Sequence, residues 1–414
     1  MNKFKKIVLD NGIPLYLCVD PTMKKVFVSY NLKYGSSGKW FVFNNNGNNY
    51  HVIPGYAHYL EHLLGEHSKF GDMYRNFCNR FQRANAYTGM NGTSYHFNGK
   101  DNIEKSLEEL IVAIDTPVFN QKDVDATRHA IEEESASRID DASNNLLGLI
   151  ERNLYNGFEL FDKTLSPIGN RETTKQITLD GLYDCYNAFY SNDKKYIIIG
   201  GNIDEQRIVD FLNNIYSKMT PHNSSLILPE LDFDSIRCKS EIINGDLDIP
   251  KVGLGMKFKK NNSVSLRELY YVLYLIRNNL LDSSELKDLE KKGVYDVLDF
   301  SYIALVNDYI DYSFGFISKE KDSLISGVLD LLSKREISKK DYELAKKGLI
   351  ATELRSMENK YNHLKNFPLS KIDLTEDYSD CDFYQAIDYN RFMEIVSSLD
   401  FSNYTIGEVK RLKR

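Results

Sequence analysis

Apolar runs at Phe4–Leu9, Leu15–Val19 and Val26–Leu32, separated by turn signals at Asn11-Gly12 and Pro21, predict three strands. Asn44–Asn49 is rich in asparagine and reads as a loop. After Pro54-Gly55 the apolar residues Tyr59, Leu60, Leu63 and Leu64 recur at helical spacing, which predicts a helix with one side packed. A short helix is expected over 72–81. Residues 83–88 and 93–97 alternate on either side of Asn91-Gly92, the signature of a hairpin. Helical spacing returns over Ile103–Ile114 and Asp123–Ile139. Leu182–Tyr190, a strand at Tyr196–Ile199 and a helix over Asp204–Tyr216 close the first half.

The second half repeats the first in outline. Lys122-Asp123-Val124 aligns with Lys340-Asp341-Tyr342, and Tyr196–Gly200 aligns with Tyr404–Gly407, each of these strands being preceded by a helix. Two similar halves of this length predict a duplication rather than a solenoid, whose repeats are short. The expected fold is α+β, with two similar domains, each a mostly antiparallel sheet covered by helices. Residues 1–220 form the first domain, 221–235 a linker containing an exposed His222, and 236–414 the second. The duplication is asymmetric. His363 is the one histidine after His222, and Thr352 aligns with Glu134, so the second domain is expected to be metal-free.

The 414 residues carry a net charge of −7, which argues against nucleic acid as the main partner. Five scattered cysteines (Cys18, Cys78, Cys185, Cys238, Cys381) fit a reducing compartment better than a disulfide framework. No run approaches a membrane span and no signal-peptide apolar region follows the basic start, so a cytoplasmic location is expected.

One short pattern asks for specific chemistry: His58-Tyr59-Leu60-Glu61-His62. On a helix His62 lies about 40° from His58 and Glu61 about 60° to the other side, so all three project into one arc. Two imidazoles one turn apart can hold one zinc, with Glu61 placed to take a proton from water. A bare H-x-x-E-H arises by chance, and a helical histidine pair is often a surface feature; the packed context is what raises its weight. Glu132-Glu133-Glu134 is ordinarily a solvated acidic run, yet Glu134 shares the inward stripe of Val124, Thr127 and Ile131. A carboxylate there needs a cation, and the histidine helix lacks a third ligand. His96 reads as structural or exposed rather than as a ligand.

These residues resemble the pitrilysin/insulinase family of inverted-zincin metallopeptidases, in its short two-domain, processing-peptidase-like branch. The resemblance rests on Gly55-x-Ala57-His58-x-Leu60-Glu61-His62, Asn85-Ala86-x-Thr88 with Thr93-x-Tyr95-x-Phe97, Arg128-x-Ala130-Ile131-x-Glu133-Glu134, and Leu182-Tyr183 through Tyr190 with Ile197-Ile198-Ile199-Gly200. It implies one Zn2+ per chain held by His58, His62 and Glu134, with Glu61 as general base. It implies that the strand carrying Ala84, Asn85, Ala86, Tyr87 and Thr88 offers its edge to an extended peptide. The family's supporting glutamate seven residues before the third ligand is Thr127 here. Its substrate-clamping arginine and tyrosine have only Lys287 and Tyr295 as stand-ins, and lysine lacks arginine's planar fork. The resemblance therefore implies the zinc subunit of a heterodimer whose related partner supplies the clamp, or else a homodimer, acting on oligopeptides or leader peptides. The alternatives are a non-catalytic peptide-binding subunit and a purely structural zinc site; the second would need four protein ligands.

Overall fold

The computed structural model describes residues 4–36, 42–45, 48–89, 91–139, 141–155, 168–169, 171–222, 234–306, 308–334, 337–370 and 380–412. In chain order it begins with β1 (Lys5–Val8), β2 (Pro14–Val19), β3 (Val26–Leu32), β4 (Val42–Asn45), β5 (Asn48–His51), α1 (Tyr56–Glu66), α2 (Met73–Asn79), β6 (Arg83–Thr88) and β7 (Thr93–Gly99). Then come α3 (Ile103–Asp115), α4 (Gln121–Ile139), α5 (Ala142–Leu154), α6 (Arg171–Gln176), α7 (Leu179–Phe189), β8 (Lys195–Gly201) and α8 (Glu205–Tyr216). The later part runs β9 (Ser240–Asn244), β10 (Lys251–Lys259), α9 (Leu266–Asp282), α10 (Ser284–Lys291), β11 (Val297–Val306), β12 (Tyr309–Ile317) and α11 (Lys321–Lys334). It ends with α12 (Lys339–Glu358), α13 (Lys360–Ser370), α14 (Asp380–Ala386), α15 (Tyr389–Ser398) and β13 (Tyr404–Lys410).

Two compact units result. In the first, a six-stranded sheet has the order β1-β2-β8-β3-β7-β6, antiparallel except for the parallel pair β2–β8. Every residue of β3 is buried, so both faces of this sheet must be covered. One face is closed by helical side chains such as Leu60, Leu63, Leu110 and Leu182. The other holds Phe4, Tyr16, Phe27, Tyr196 and Ile198, and is sealed by Leu364 of α13. Gly200 makes that seal close: a Cβ there would lie 2.4 Å from a Leu364 methyl. β6 is the last strand, and no described strand pairs with its outer edge.

In the second unit a five-stranded sheet has the order β11-β12-β10-β13-β9, with β13 and β9 parallel and the other pairs antiparallel. This matches β6-β7-β3-β8-β2 strand for strand, the parallel pair included, as a duplication requires. Helix α5 lies on this sheet, where Gly253, Gly255 and Gly407 leave room for Leu146 and Ile150.

The compact units do not follow the linear halves expected from the sequence. Unit 1 comprises Met1–Ala136, Pro167–Pro229 and Ser356–Tyr378; unit 2 comprises Ser137–Ser166, Glu230–Arg355 and Ser379–Arg414. Each half of the chain thus lends one segment, α5 or α13, to the sheet of the other. Of the expected linker, residues 223–233 lie outside the described residues. The asparagine-rich stretch expected as a loop is instead the strand pair β4–β5, with Val42 opposite His51 and Asn45 opposite Asn48. Leu364→Ala should destabilise unit 1 by about 3 kcal/mol, the usual cost of a buried Leu→Ala change. Urea unfolding followed by tyrosine fluorescence measures it, and an unchanged midpoint would remove α13 from this core.

Candidate metal and catalytic centre

The turn before α1 requires glycine. Gly55 has φ of 105°, and a Cβ on it would sit 2.7 Å from the Ile168 carbonyl oxygen. From that start α1 packs Tyr59, Leu60, Leu63 and Leu64 into the core, which carries His58 and Glu61 under cover with them; His62 is half-buried. Helix α4 buries Val124, Thr127, Ile131 and Ser135, and Glu134 lies beside that stripe.

The two helices meet through their polar groups. His58 Nε2 is 3.5 Å, and His62 Nε2 is 3.7 Å, from Glu134 Oε2. The imidazole rings stand nearly perpendicular, at 83°, with centroids 4.7 Å apart. Donor atoms from all three residues lie within 4.8 Å of one another, the one such cluster among the described residues. Ligands about 2 Å from a tetrahedral zinc are about 3.3 Å apart, so this donor set fits that ion and leaves a position open.

Glu61 lies beside the cluster and accepts a 2.6 Å hydrogen bond from the Thr88 hydroxyl at the end of β6. Burial pushes the Glu61 carboxyl above the usual carboxylate range, against the Thr88 bond and the nearby His62, which favour the anion. Burial acts on His62 in the opposite direction, but its 3.0 Å contact from Nδ1 to Glu66 and the surrounding carboxylates outweigh that and raise its pKa. The Glu66 carboxyl is correspondingly held low by His62. The sequence places Thr88 on the peptide-edge strand but not its bond to Glu61, and it does not single out Glu66. Glu66 was legible, being four residues past His62 on the same helix; Thr88 reaches Glu61 only through sheet pairing.

The structure brings together His58, His62, Glu134, Glu61 and Thr88, while Ala84, Asn85, Ala86 and Tyr87 run away along β6. His96 is buried and stacked on Phe27, and burial, helped by Lys365, lowers its pKa to about 4. His222 is not solvent-exposed as expected: it is half-buried, stacked on Tyr186, with Nε2 2.9 Å from the Asn187 carbonyl. In unit 2, Lys287 donates to the Asp282 carbonyl, and the buried Tyr295 hydroxyl donates to that of Leu286. Both candidate clamp groups are thus turned to their own backbone. Thr352 is exposed and donates to the Gly348 carbonyl.

An H-x-x-E-H helix met by a glutamate from a second helix, on a doubled α+β frame, defines the inverted-zincin class of site. The chain belongs to the pitrilysin/insulinase family. The family model described as "Insulinase (Peptidase family M16)" matches residues 48–168, and that described as "Peptidase M16 inactive domain" matches residues 176–349. The chain is 28% identical over 370 residues to the "Uncharacterized zinc protease YmfH" of Bacillus subtilis (strain 168), covering 85% of this chain and 83% of that one. Its fold resembles a protease from Helicobacter pylori, with a TM-score of 0.78 at 16% identity over 99% of this chain and 100% of that one. It also resembles the periplasmic protease PqqL from Escherichia coli, with a TM-score of 0.71 at 17% identity, over 98% of this chain but 47% of that one.

Glu66→Gln should lower the His62 pKa in the metal-free protein, because the raising contact is removed while the burial stays. An NMR titration of the imidazole C2–H signals measures it; an unmoved His62 titration would mean that Glu66 does not set its charge.

Proposed function

We propose that this chain is a zinc metallopeptidase that hydrolyses oligopeptides or leader peptides, as the zinc-bearing subunit of a pair. The observation that carries the reading is the convergence of His58, His62 and Glu134, with Glu61 beside them and outside the donor set. When bound there, zinc supplies a Lewis acid that makes water more acidic and a carbonyl more electrophilic. Glu61 is the base: its carboxylate accepts the proton of the attacking water, and the resulting acid returns that proton to the leaving amine. Its raised pKa makes it a stronger base than an ordinary carboxylate and helps it hold the proton between those two events. Thr88 orients it through the 2.6 Å bond. The same bond ties the end of β6 to the base, so a peptide added to the open edge of β6 would run past Glu61.

Pairing with a second subunit is supported by Lys287 and Tyr295, whose polar ends are engaged by the backbone of unit 2. It is also supported by PqqL, whose chain is about twice as long as the part this chain matches. A homodimer would not bring in the arginine that this chain lacks at that place. A cytoplasmic setting is supported by five cysteines free of disulfides, Cys78 exposed among them.

Glu61→Gln should retain one zinc per chain and lower kcat on a fluorogenic peptide by at least roughly a hundredfold. His58→Ala should lose the metal itself. Metal analysis of both variants and assays with and without the related subunit are the check. Cleavage at the wild-type rate by a clean Glu61→Gln preparation would refute the peptidase, and binding without cleavage by the wild type would favour a peptide-holding subunit.

A further inference from the structure

Phe81 is 96% exposed and has φ of 59°, the left-handed region that favours glycine. It follows the last residues of α2 and stands two residues before β6. The turn around it is a complete helix cap: the Phe81 N–H donates to the Cys78 carbonyl at 2.9 Å, and the Gln82 N–H donates to the Phe77 carbonyl at 3.0 Å. That is the Schellman pattern, with Phe81 in the position ordinarily held by glycine. The next residue is locked. Gln82 is buried, its amide donates to the Asp101 carbonyl at 2.7 Å, and it accepts from the Ser106 hydroxyl at 2.6 Å. A large aromatic ring is therefore carried on a rigid pedestal, at a position where it strains the backbone and gains no burial. Neither local structure nor packing favours phenylalanine there.

The position relative to the site explains it. Thr88, at one end of β6, touches Glu61; Arg83, at the other end, lies five residues on, about 17 Å along an extended strand. Phe81 stands just past that far end. No described strand pairs with the outer edge of β6 between them. We propose that Phe81 is a specificity subsite that takes an apolar side chain of the peptide about six residues from the bond being cut. A peptide lying along the β6 edge would meet this ring as it passes the α2 end. The pre-fixed turn means that little further freedom is lost when the ring is covered. The inference rests on the peptidase reading for the path of the peptide.

The test measures binding in a background that does not cut. Fluorescein-labelled peptides carrying leucine or serine about six residues from the central bond, on either its N-terminal or C-terminal side, are titrated into Glu61→Gln by fluorescence anisotropy. Leucine should bind about tenfold tighter than serine on one side, the size expected for covering one apolar side chain. In Glu61→Gln/Phe81→Gly that ratio should fall to about one; in Glu61→Gln/Phe81→Leu it should persist. Phe81→Gly should melt no lower than the parent, since glycine relieves the left-handed strain. A leucine preference that survives Phe81→Gly, no preference at all, or a lowered melting temperature would each overturn the assignment. Turnover of the same peptides by the wild-type chain, alone and with the related subunit added, separates the two claims: tight, leucine-selective binding without hydrolysis in either case would keep the subsite and sink the peptidase.

Discussion

Two imidazoles and two carboxylates crowd into one partly dry space, and that crowding governs the rest. Glu61 is 8% and His58 6% exposed, and Glu134 approaches both histidines from another helix. Placing anionic groups together under cover is unfavourable unless a cation compensates them. A proton on His62 supplies part of that compensation, which is why its pKa rises against burial. A divalent ion supplies more, and three convergent donors with one place open suit such an ion. The surrounding structure holds the donors in position: Gly55 permits the turn into α1, the apolar side of α1 fixes its rotation, and Ser135 and Ile131 fix that of α4.

The duplicated frame explains how one such site can exist without a second. The two sheets share strand order and the position of their parallel pair, so the scaffold of the site is present twice. The chemistry is not. The helix equivalent to α4 has exposed Thr352 at the place of Glu134, and the residues of unit 2 considered as a clamp bond to their own backbone. A second sheet kept without the metal residues still has an edge and a surface to offer. The exchange of α5 and α13 also makes each sheet depend on a segment from the other half of the chain.

Much of the centre was legible because it is written in helical spacing. His58, Glu61 and His62 share an arc by arithmetic, and Glu134 was separable from Glu132 and Glu133 by its place on an apolar stripe. The strands β2, β3 and β8 were legible as mostly apolar runs, interrupted in β3 by Ser29 and Asn31, as suits strands covered on both faces. What could not be read depends on partners far away in sequence. The sheets that receive α5 and α13 lie far from them in sequence, so linear domain boundaries do not show the exchange. The asparagines of β4 and β5 carry no apolar alternation, so backbone pairing there left no trace. His222 looked like a linker residue because Tyr186, on which it stacks, is 36 positions earlier. Phe81 carries no periodic signal in the sequence; its left-handed backbone and its exposure are properties of the folded turn.

Zinc-edge X-ray absorption on the purified chain reads the donor set directly. The expected spectrum has a first shell of nitrogen and oxygen at about 2.0–2.1 Å, with the outer-shell signature of two imidazoles and no sulfur. That signal should disappear in Glu134→Ala or be replaced by a shell with one protein ligand fewer. A sulfur shell at about 2.3 Å would place the metal on cysteine, and a spectrum unaltered by Glu134→Ala would break the link between α4 and the histidine helix.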